Sequence, residues 1–334
     1  MDKKIIERDK ILDLDALLLN TAQEVLDEAK RNKEPKIVVT GGSGMVGQGL
    51  KKLYPNAVYL NSSTYDLTDQ DDVRNMIRYH QPDIIIHLAA RVGGIIANIE
   101  QPSDYYDDNV LMNTILINEA RKAGVERLIA VLSTCIYPDH LEVGAYPMRE
   151  EVMHDGAPTP TNFSYGYAKR SMAVQIDACN QQYKTKYQYL IPCNLYGFGD
   201  KSGKNAHFIG ALIEKIHNAK MNKDDHIMLF GSGTPLRQFL LTDDFCKIIS
   251  KCVEESVYEN MNIAIGDNLS IKDMAKIALK SMDAEHLEIK FDPTKPDGQF
   301  RKDVSIEKLK SVFPDWEATS LEEGIKQTYE SQYL

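Results

Sequence analysis

Ile37-Val38-Val39-Thr40-Gly41-Gly42-Ser43-Gly44-Met45-Val46-Gly47 is the stretch that decides the fold. Three β-branched apolar residues and a threonine read as a short buried strand. The glycines follow at once as G-x-x-G-x-x-G, and Gln48-Gly49-Leu50-Lys51-Lys52-Leu53 then reads as a helix. Strand, glycine loop and helix in that order form a dinucleotide-binding turn. Gly41 lets the chain turn sharply, Gly44 lets a pyrophosphate approach the backbone, and Gly47 lets the helix pack on the strand. The phosphate would rest on free N–H groups at the helix start. The expected cradle is therefore Gly41, Gly42, Ser43, Gly44, Met45, Val46 and Gly47.

Outward from this loop, short apolar runs alternate with helical stretches. The runs are Ile37–Thr40, Ala57–Leu60, Ile84–Leu88, Leu128–Leu132, Tyr187–Ile191 and Met261–Ile265. Buried strands separated by helices imply βαβ units and a parallel sheet. Right-handed crossovers then give an α/β fold, a doubly wound sheet with helices on both faces. Past Tyr196 the pattern loosens, which suggests a smaller C-terminal α/β lobe. The expected division is a nucleotide-binding domain over 36–195 with a returning segment at about 238–265, and a substrate lobe over 196–237 and 266–334. Residues 1–35 read as an amphipathic helical extension, with Ile11, Leu14, Leu18, Ala22, Val25, Leu26 and Ala29 near helical spacing before Pro35.

The chain has 334 residues and a formal charge of −10. An acidic surface argues against non-specific binding to nucleic acid or anionic membrane. Five cysteines without a C-x-x-C pair suggest neither a disulfide framework nor a zinc site, so no metal is expected. No apolar run reaches signal-peptide or membrane-spanning length. The expectation is a cytoplasmic protein.

The second strand ends in Asn61-Ser62-Ser63-Thr64. An NAD site places a carboxylate there for the ribose 2′-hydroxyl. Its absence leaves room for a 2′-phosphate, so NADP is the expected cofactor. Asp66 and Leu67 follow where adenine is commonly contacted, although Asp66 reads equally as a turn or helix cap.

Tyr165 and Lys169 stand four apart in Ser-Tyr-Gly-Tyr-Ala-Lys. On a helix both project from one face. An ammonium beside a phenol favours the phenolate, which would let the phenol exchange a proton with a developing alkoxide. The fourth strand runs into Ser133-Thr134-Cys135-Ile136-Tyr137-Pro138. Strand C-termini are where such folds bind ligands. Ser133 can hydrogen-bond the oxygen that Tyr165 protonates, and Cys135 is placed to act as a base on carbon.

Together these features resemble the GDP-L-fucose synthase family, bifunctional epimerase-reductases of the extended short-chain dehydrogenase/reductase superfamily. The stretches that carry the resemblance are Thr40–Gly47, His87–Ala90 with Val92-Gly93-Gly94, Ser133–Pro138, Tyr165–Lys169, Asn194–Gly197, Asn205–His207, Gly231–Arg237 and Thr294–Gly298. The resemblance implies a GDP-4-keto-6-deoxy-D-mannose substrate. It is epimerised at carbons 3 and 5 and then reduced at carbon 4 by NADPH to GDP-L-fucose. Cys135 matches the family's base and His207 its acid. Leu88, Ala89, Ala90, Lys169, Pro192, Asn194, Leu195 and His207 match cofactor contacts. Lys215, Phe230, Arg237, Asp297 and Lys302 match nucleotide-sugar contacts. A homodimer is implied, in which the helix near Tyr165 and one over Asp104–Lys122 pair with their copies.

The chain also departs from the pattern. Ser43 replaces an Arg found in some members, Lys215 an Arg, and Phe230 a Trp. By motif alone, a relative acting on a GDP-4-keto-heptose looks the same. An NAD-dependent nucleotide-sugar 4-epimerase has no use for Cys135. A catalytically dead redox sensor would have lost one of Ser133, Tyr165 and Lys169.

Overall fold

The computed structural model describes residues 34–200, 207–295 and 297–334. The expected N-terminal helix, Asn205-Ala206 and Pro296 lie outside the described residues. Ile37–Leu334 form one compact unit.

The chain alternates β1 (Ile37–Thr40), α1 (Met45–Leu53), β2 (Val58–Leu60), α2 (Gln70–His80), β3 (Ile84–His87), α3 (Ile95–Glu100), α4 (Pro102–Lys122), β4 (Arg127–Val131), α5 (Phe163–Tyr183) and β5 (Lys186–Pro192). It continues with β6 (Asn194–Tyr196), α6 (Phe208–Asn222), β7 (His226–Phe230), β8 (Leu236–Arg237), β9 (Phe239–Leu241), α7 (Thr242–Glu254) and β10 (Met261–Ile263). The last elements are β11 (Leu269–Ser270), α8 (Ile271–Ser281), β12 (Glu288–Asp292), α9 (Glu307–Val312) and α10 (Leu321–Tyr333).

The six strands read from the sequence pair in parallel as one sheet, in the order β10-β5-β4-β3-β1-β2. Every residue of β1 and β3 is buried. Helices cover both faces, so these strands carry continuous apolar runs rather than an alternating pattern. The chain winds outward from β1 to β2, then returns past β1 to β3. The order therefore reverses between β1 and β3, and ligands bind at the carboxyl ends of strands beside such a reversal.

Two apolar cores lie in this unit. The larger joins the sheet to its helices and includes Leu50, Ile117, Ile129, Ile176 and Ile191. Phe245, Ile248 and Ile249 of α7 return to it, as do Met261 and Ile263 of β10. The smaller gathers Tyr196, Ile209, Leu212, Phe239, Met274, Leu279 and Ile325 under the pairs β6–β9 and β7–β12. One difference from the sequence boundaries is physical. Val304, Leu309, Phe313 and Trp316 pack into the sheet core, so the chain after 266 crosses back between the lobes. Among the described residues, no helix is long and apolar enough to cross a membrane.

Candidate active site

At the reversal, Gly41 leaves β1 with φ +71°, and a Cβ there would lie 2.7 Å from the Ala89 nitrogen. Only glycine meets both demands. Gly47 packs α1 onto the loop, since a Cβ would meet the Gly42 carbonyl oxygen at 2.6 Å. Gly44 and Ser43 are exposed. Gly44 caps α1 with no side-chain hydrogen bond and no acidic residue follows in the first turn. The helix start thus offers N–H groups to an anion without a competing carboxylate. Met45 and Val46 are half-buried behind it.

The end of β2 is closed by its own polar groups. Asn61 Oδ1 accepts from the Ser63 N–H at 2.9 Å and from its hydroxyl at 2.6 Å. Asp66 takes the turn role, accepting from the Thr68 N–H at 2.8 Å and hydroxyl at 2.7 Å, which hold its carboxyl below the usual range. Leu67 packs against the sheet core. At the end of β3, the Leu88 N–H donates to the Thr40 carbonyl at 3.2 Å. Leu88, Ala89 and Ala90 so line the reversal beside Gly41. Across the sheet, Pro192 ends β5 and Asn194 begins β6, its amide donating to the Gln238 carbonyl at 2.9 Å, with Leu195 half-buried beside it.

Beneath this mouth, fully buried His87 bridges Thr40 Oγ1 at 2.8 Å and Asn113 Oδ1 at 2.9 Å. Burial, with the nearby Lys169 charge, pushes its ring down to about 4. The imidazole is neutral at pH 7 and acts as a structural link.

Tyr165 and Lys169 lie one turn apart on α5. Lys169 is buried and its Nζ donates to the Val131 carbonyl at 2.9 Å, at the end of β4. Burial pulls its ammonium down to about 8. The Tyr165 phenol moves the other way from the sequence expectation. Burial, then the neighbouring Cys135 and Tyr105, push it above the ordinary range. The spacing sets a shared face but not the acceptor, and β4 offers Lys169 a carbonyl within reach.

Ser133 opens a short turn over Thr134–Ile136, its hydroxyl accepting from the Cys135 N–H at 3.2 Å. Two residues that sequence reasoning missed fix this turn against α5. A Cβ on Gly166 would lie 2.6 Å from the Cys135 carbonyl oxygen. Arg170 donates from Nε to the Ile136 carbonyl and from Nη1 to the Gly156 carbonyl, each at 2.9 Å. The half-buried Cys135 thiol receives Asn162 Nδ2 at 2.8 Å and Lys302 Nζ at 3.1 Å. Burial pushes the thiol up. The Lys302 charge and hydrogen bonds from Ser133, Lys302 and Asn162 outweigh it, so the net position is below the usual thiol range.

Arg237 stands half-buried near this cluster, donating to the Leu236 carbonyl at 2.7 Å, and among the described residues it has no ion-pair partner. Burial draws its guanidinium down, against Cys135 and Asp297. The Asp297 carboxylate locks the Gly231–Gly233 turn, accepting from the Ser232 N–H at 2.6 Å and hydroxyl at 2.8 Å. Lys215 donates to the Met228 carbonyl at 2.7 Å and lies 5.0 Å from the centre of the exposed Phe230 ring. Lys295, part of the quoted Thr294–Gly298 stretch but given no contact role there, flanks that ring at 5.8 Å. His207 precedes α6 and its Nδ1 is 2.6 Å from buried Asp200. The structure thus joins Ser133, Cys135, Asn162 and Lys302 by hydrogen bonds, with Tyr165 near enough to Cys135 for the two to interact electrostatically, and pairs His207 with Asp200.

An open helix N-terminus at a strand reversal, beside a phenol–lysine pair, defines a dinucleotide-dependent enzyme of the short-chain dehydrogenase type. Residues 37–264 match the NAD dependent epimerase/dehydratase family, and the chain belongs to it. Within that family it groups with the GDP-L-fucose synthases. It is 35% identical to the GDP-L-fucose synthase of Dictyostelium discoideum over 87% of this chain and 93% of that protein. The GDP-L-fucose synthetase of Naegleria fowleri bound to NADP superposes with a TM-score of 0.78 at 28% identity, over 90% of this chain and 94% of that one. A GDP-mannoheptose C4 reductase of Campylobacter jejuni gives a TM-score of 0.78 at 24% identity, over 89% of this chain and 98% of that one, and shares the fold.

Proposed function

We propose that this chain is a bifunctional 3,5-epimerase and NADPH-dependent 4-reductase that converts GDP-4-keto-6-deoxy-D-mannose to GDP-L-fucose. The observation that carries the reading is the thiol of Cys135, gripped by Lys302 and Asn162 beside Tyr165. A 4-epimerase that only moves a hydride has no task for such a group.

The glycine loop fits the NADP pyrophosphate, and Asn61–Thr64 leave the ribose 2′-phosphate unopposed. Asp66 and Leu67 border the adenine; Leu88, Ala89, Ala90, Lys169, Pro192, Asn194, Leu195 and His207 line the rest of the dinucleotide. Bound NADPH supplies the hydride for carbon 4. The chain's own residues handle protons. The 4-keto group acidifies the C–H bonds at carbons 3 and 5. Cys135 takes each proton, Ser133 and Tyr165 hold the enolate oxygen, and His207, oriented by Asp200, returns a proton to the opposite face. Tyr165 then protonates the alkoxide. Lys215, Arg237, Lys302 and Asp297 border the diphosphate and sugar, with Phe230 against the base. In this reading the substrate lobe is drawn from 196–237 and 266–334, less the segment that packs under the sheet.

Incubation with GDP-4-keto-6-deoxy-D-mannose tests the assignment. NADPH should be oxidised with a kcat/KM at least about tenfold above that for NADH, since a single hydrogen bond from the Asn61–Thr64 strand end to the 2′-phosphate would be worth ~1.5–3 kcal/mol. The product sugar should be L-fucose. A preference for NADH overturns the cofactor choice, and turnover only of a GDP-4-keto-heptose overturns the sugar.

A homodimer through α4 and α5 belongs to the same proposal. Tyr106 and Leu111 on α4, and Val174 and Tyr183 on α5, are exposed apolar side chains on a helix pair that packs along its length. Sedimentation at micromolar concentration should give a dimer, and a monomer there counts against it. Five free cysteines support a reducing cytoplasmic setting.

A further inference from the structure

Besides the Ser133 hydroxyl, two nitrogen donors meet the Cys135 sulfur. Asn162 Nδ2 approaches at 2.8 Å and Lys302 Nζ at 3.1 Å. Neighbouring Arg301 is satisfied by Asp303, with contacts of 2.6 and 2.8 Å, so Asp303 is taken. Lys302 itself has no carboxylate partner among the described residues. Its cation faces the sulfur instead. Asn162 closes the short turn Pro160–Asn162 that leads into α5, three residues before Tyr165. Among the described residues, the ionisable groups that interact electrostatically with Cys135 include Lys302, Arg237 and Tyr165, two cations and a phenol, and no carboxylate is among its interaction partners.

We propose that Lys302 and Asn162 form a thiolate clamp, in which the ammonium of Lys302 pairs with the Cys135 sulfur and the Asn162 amide fixes its direction. Lys302 is then a positioning residue for the base and not only a contact for the nucleotide sugar. When the base acts, the substrate C–H bond breaks, the S–H bond forms, and the electron pair moves to the 4-keto oxygen. Lys302 keeps its proton throughout. That last role rests on the epimerase-reductase reading, whereas the clamp itself does not.

The test is the pH dependence of alkylation by iodoacetamide in the full-length chain, with labelling at Cys135 located by peptide mass spectrometry. The other four cysteines are buried, so Cys135 should label first. In the parent chain the rate should reach half its plateau clearly below pH ~8.5, the ordinary thiol value. Lys302→Met should move that midpoint up by about one unit, which lowers the rate at pH 7 about tenfold. Lys302→Arg should stay near the parent because the charge is kept, and Asn162→Ala should shift the midpoint upward by less than Lys302→Met. A parent midpoint at or above pH ~8.5 overturns the clamp whether or not any variant folds. Equal midpoints in the parent and a folded Lys302→Met chain overturn the role of Lys302. Solvent deuterium exchange into the substrate separates the two ideas. If Lys302→Met loses exchange at pH 7 and regains it at pH 9, clamp and base both stand. If the midpoints shift but the parent never exchanges, the clamp stands and the epimerase reading fails.

Discussion

Tyr165→Phe should cut NADPH oxidation steeply while the substrate protons at carbons 3 and 5 still exchange with solvent deuterium, more slowly because Ser133 alone then holds the enolate oxygen. The phenol lies above its ordinary range because it is buried near Cys135 and Tyr105. It is therefore fully protonated at neutral pH and available as a donor. Phenylalanine removes that proton and leaves the Cys135 thiol, Lys302 and Asn162 in place. A general acid typically contributes ~10²–10⁴-fold, so reduction should fall by that factor. Stability should hardly move, because the phenol makes no hydrogen bond among the described residues and its ring is retained. Isolating exchange by mass spectrometry and reduction by absorbance reads the two chemistries separately. Reduction within tenfold of the parent would remove Tyr165 from the donor role.

The sheet was legible because β1 and β3 are buried along their whole length and β4 nearly so, and they read as short apolar runs, although the edge strand β2 is only part-buried and Gln188 and Asn262 interrupt β5 and β10. The loop at Gly41–Gly47 was legible because close backbone approach leaves glycine as the only residue that fits. Much of the second lobe was not. β8 and β11 are two residues each, too short for any period to show. The clamp on Cys135 was invisible for a different reason. Lys302 is 167 positions from the thiol it touches, and Asn162 is 27 positions away. No local pattern records such a pairing. Spacing was also insufficient at Tyr165 and Lys169. It put both on one face of α5, but whether the ammonium meets the phenol or a strand carbonyl depends on where β4 ends. Asp297 shows the same limit: the chain uses both carboxylate oxygens to hold the Gly231–Gly233 turn, which no motif states.

Cys135→Ser should produce the complementary failure. A serine hydroxyl is a far weaker base than a thiol, whose ordinary value is already ~8.5 and which lies lower here through Lys302 and its hydrogen-bond donors. Lys302 and Asn162 would still point at the new oxygen, yet neither can make a hydroxyl ionise near neutral pH. Exchange at carbons 3 and 5 should fall by ~10²–10⁴-fold. Tyr165 and Lys169 remain in place, so the residual reduction should release a 4-hydroxy sugar that has not been inverted at carbons 3 and 5. The product's stereochemistry is thus the decisive measurement, because it does not depend on how much activity survives. The Lys302→Met chain offers an internal comparison. It keeps the thiol, so its exchange should return at high pH, whereas that of Cys135→Ser should not. If Cys135→Ser exchanges as fast as the parent and yields the same sugar, the thiol is not the base. The chain would then be a simple 4-reductase, and the cluster around Cys135 would need another explanation.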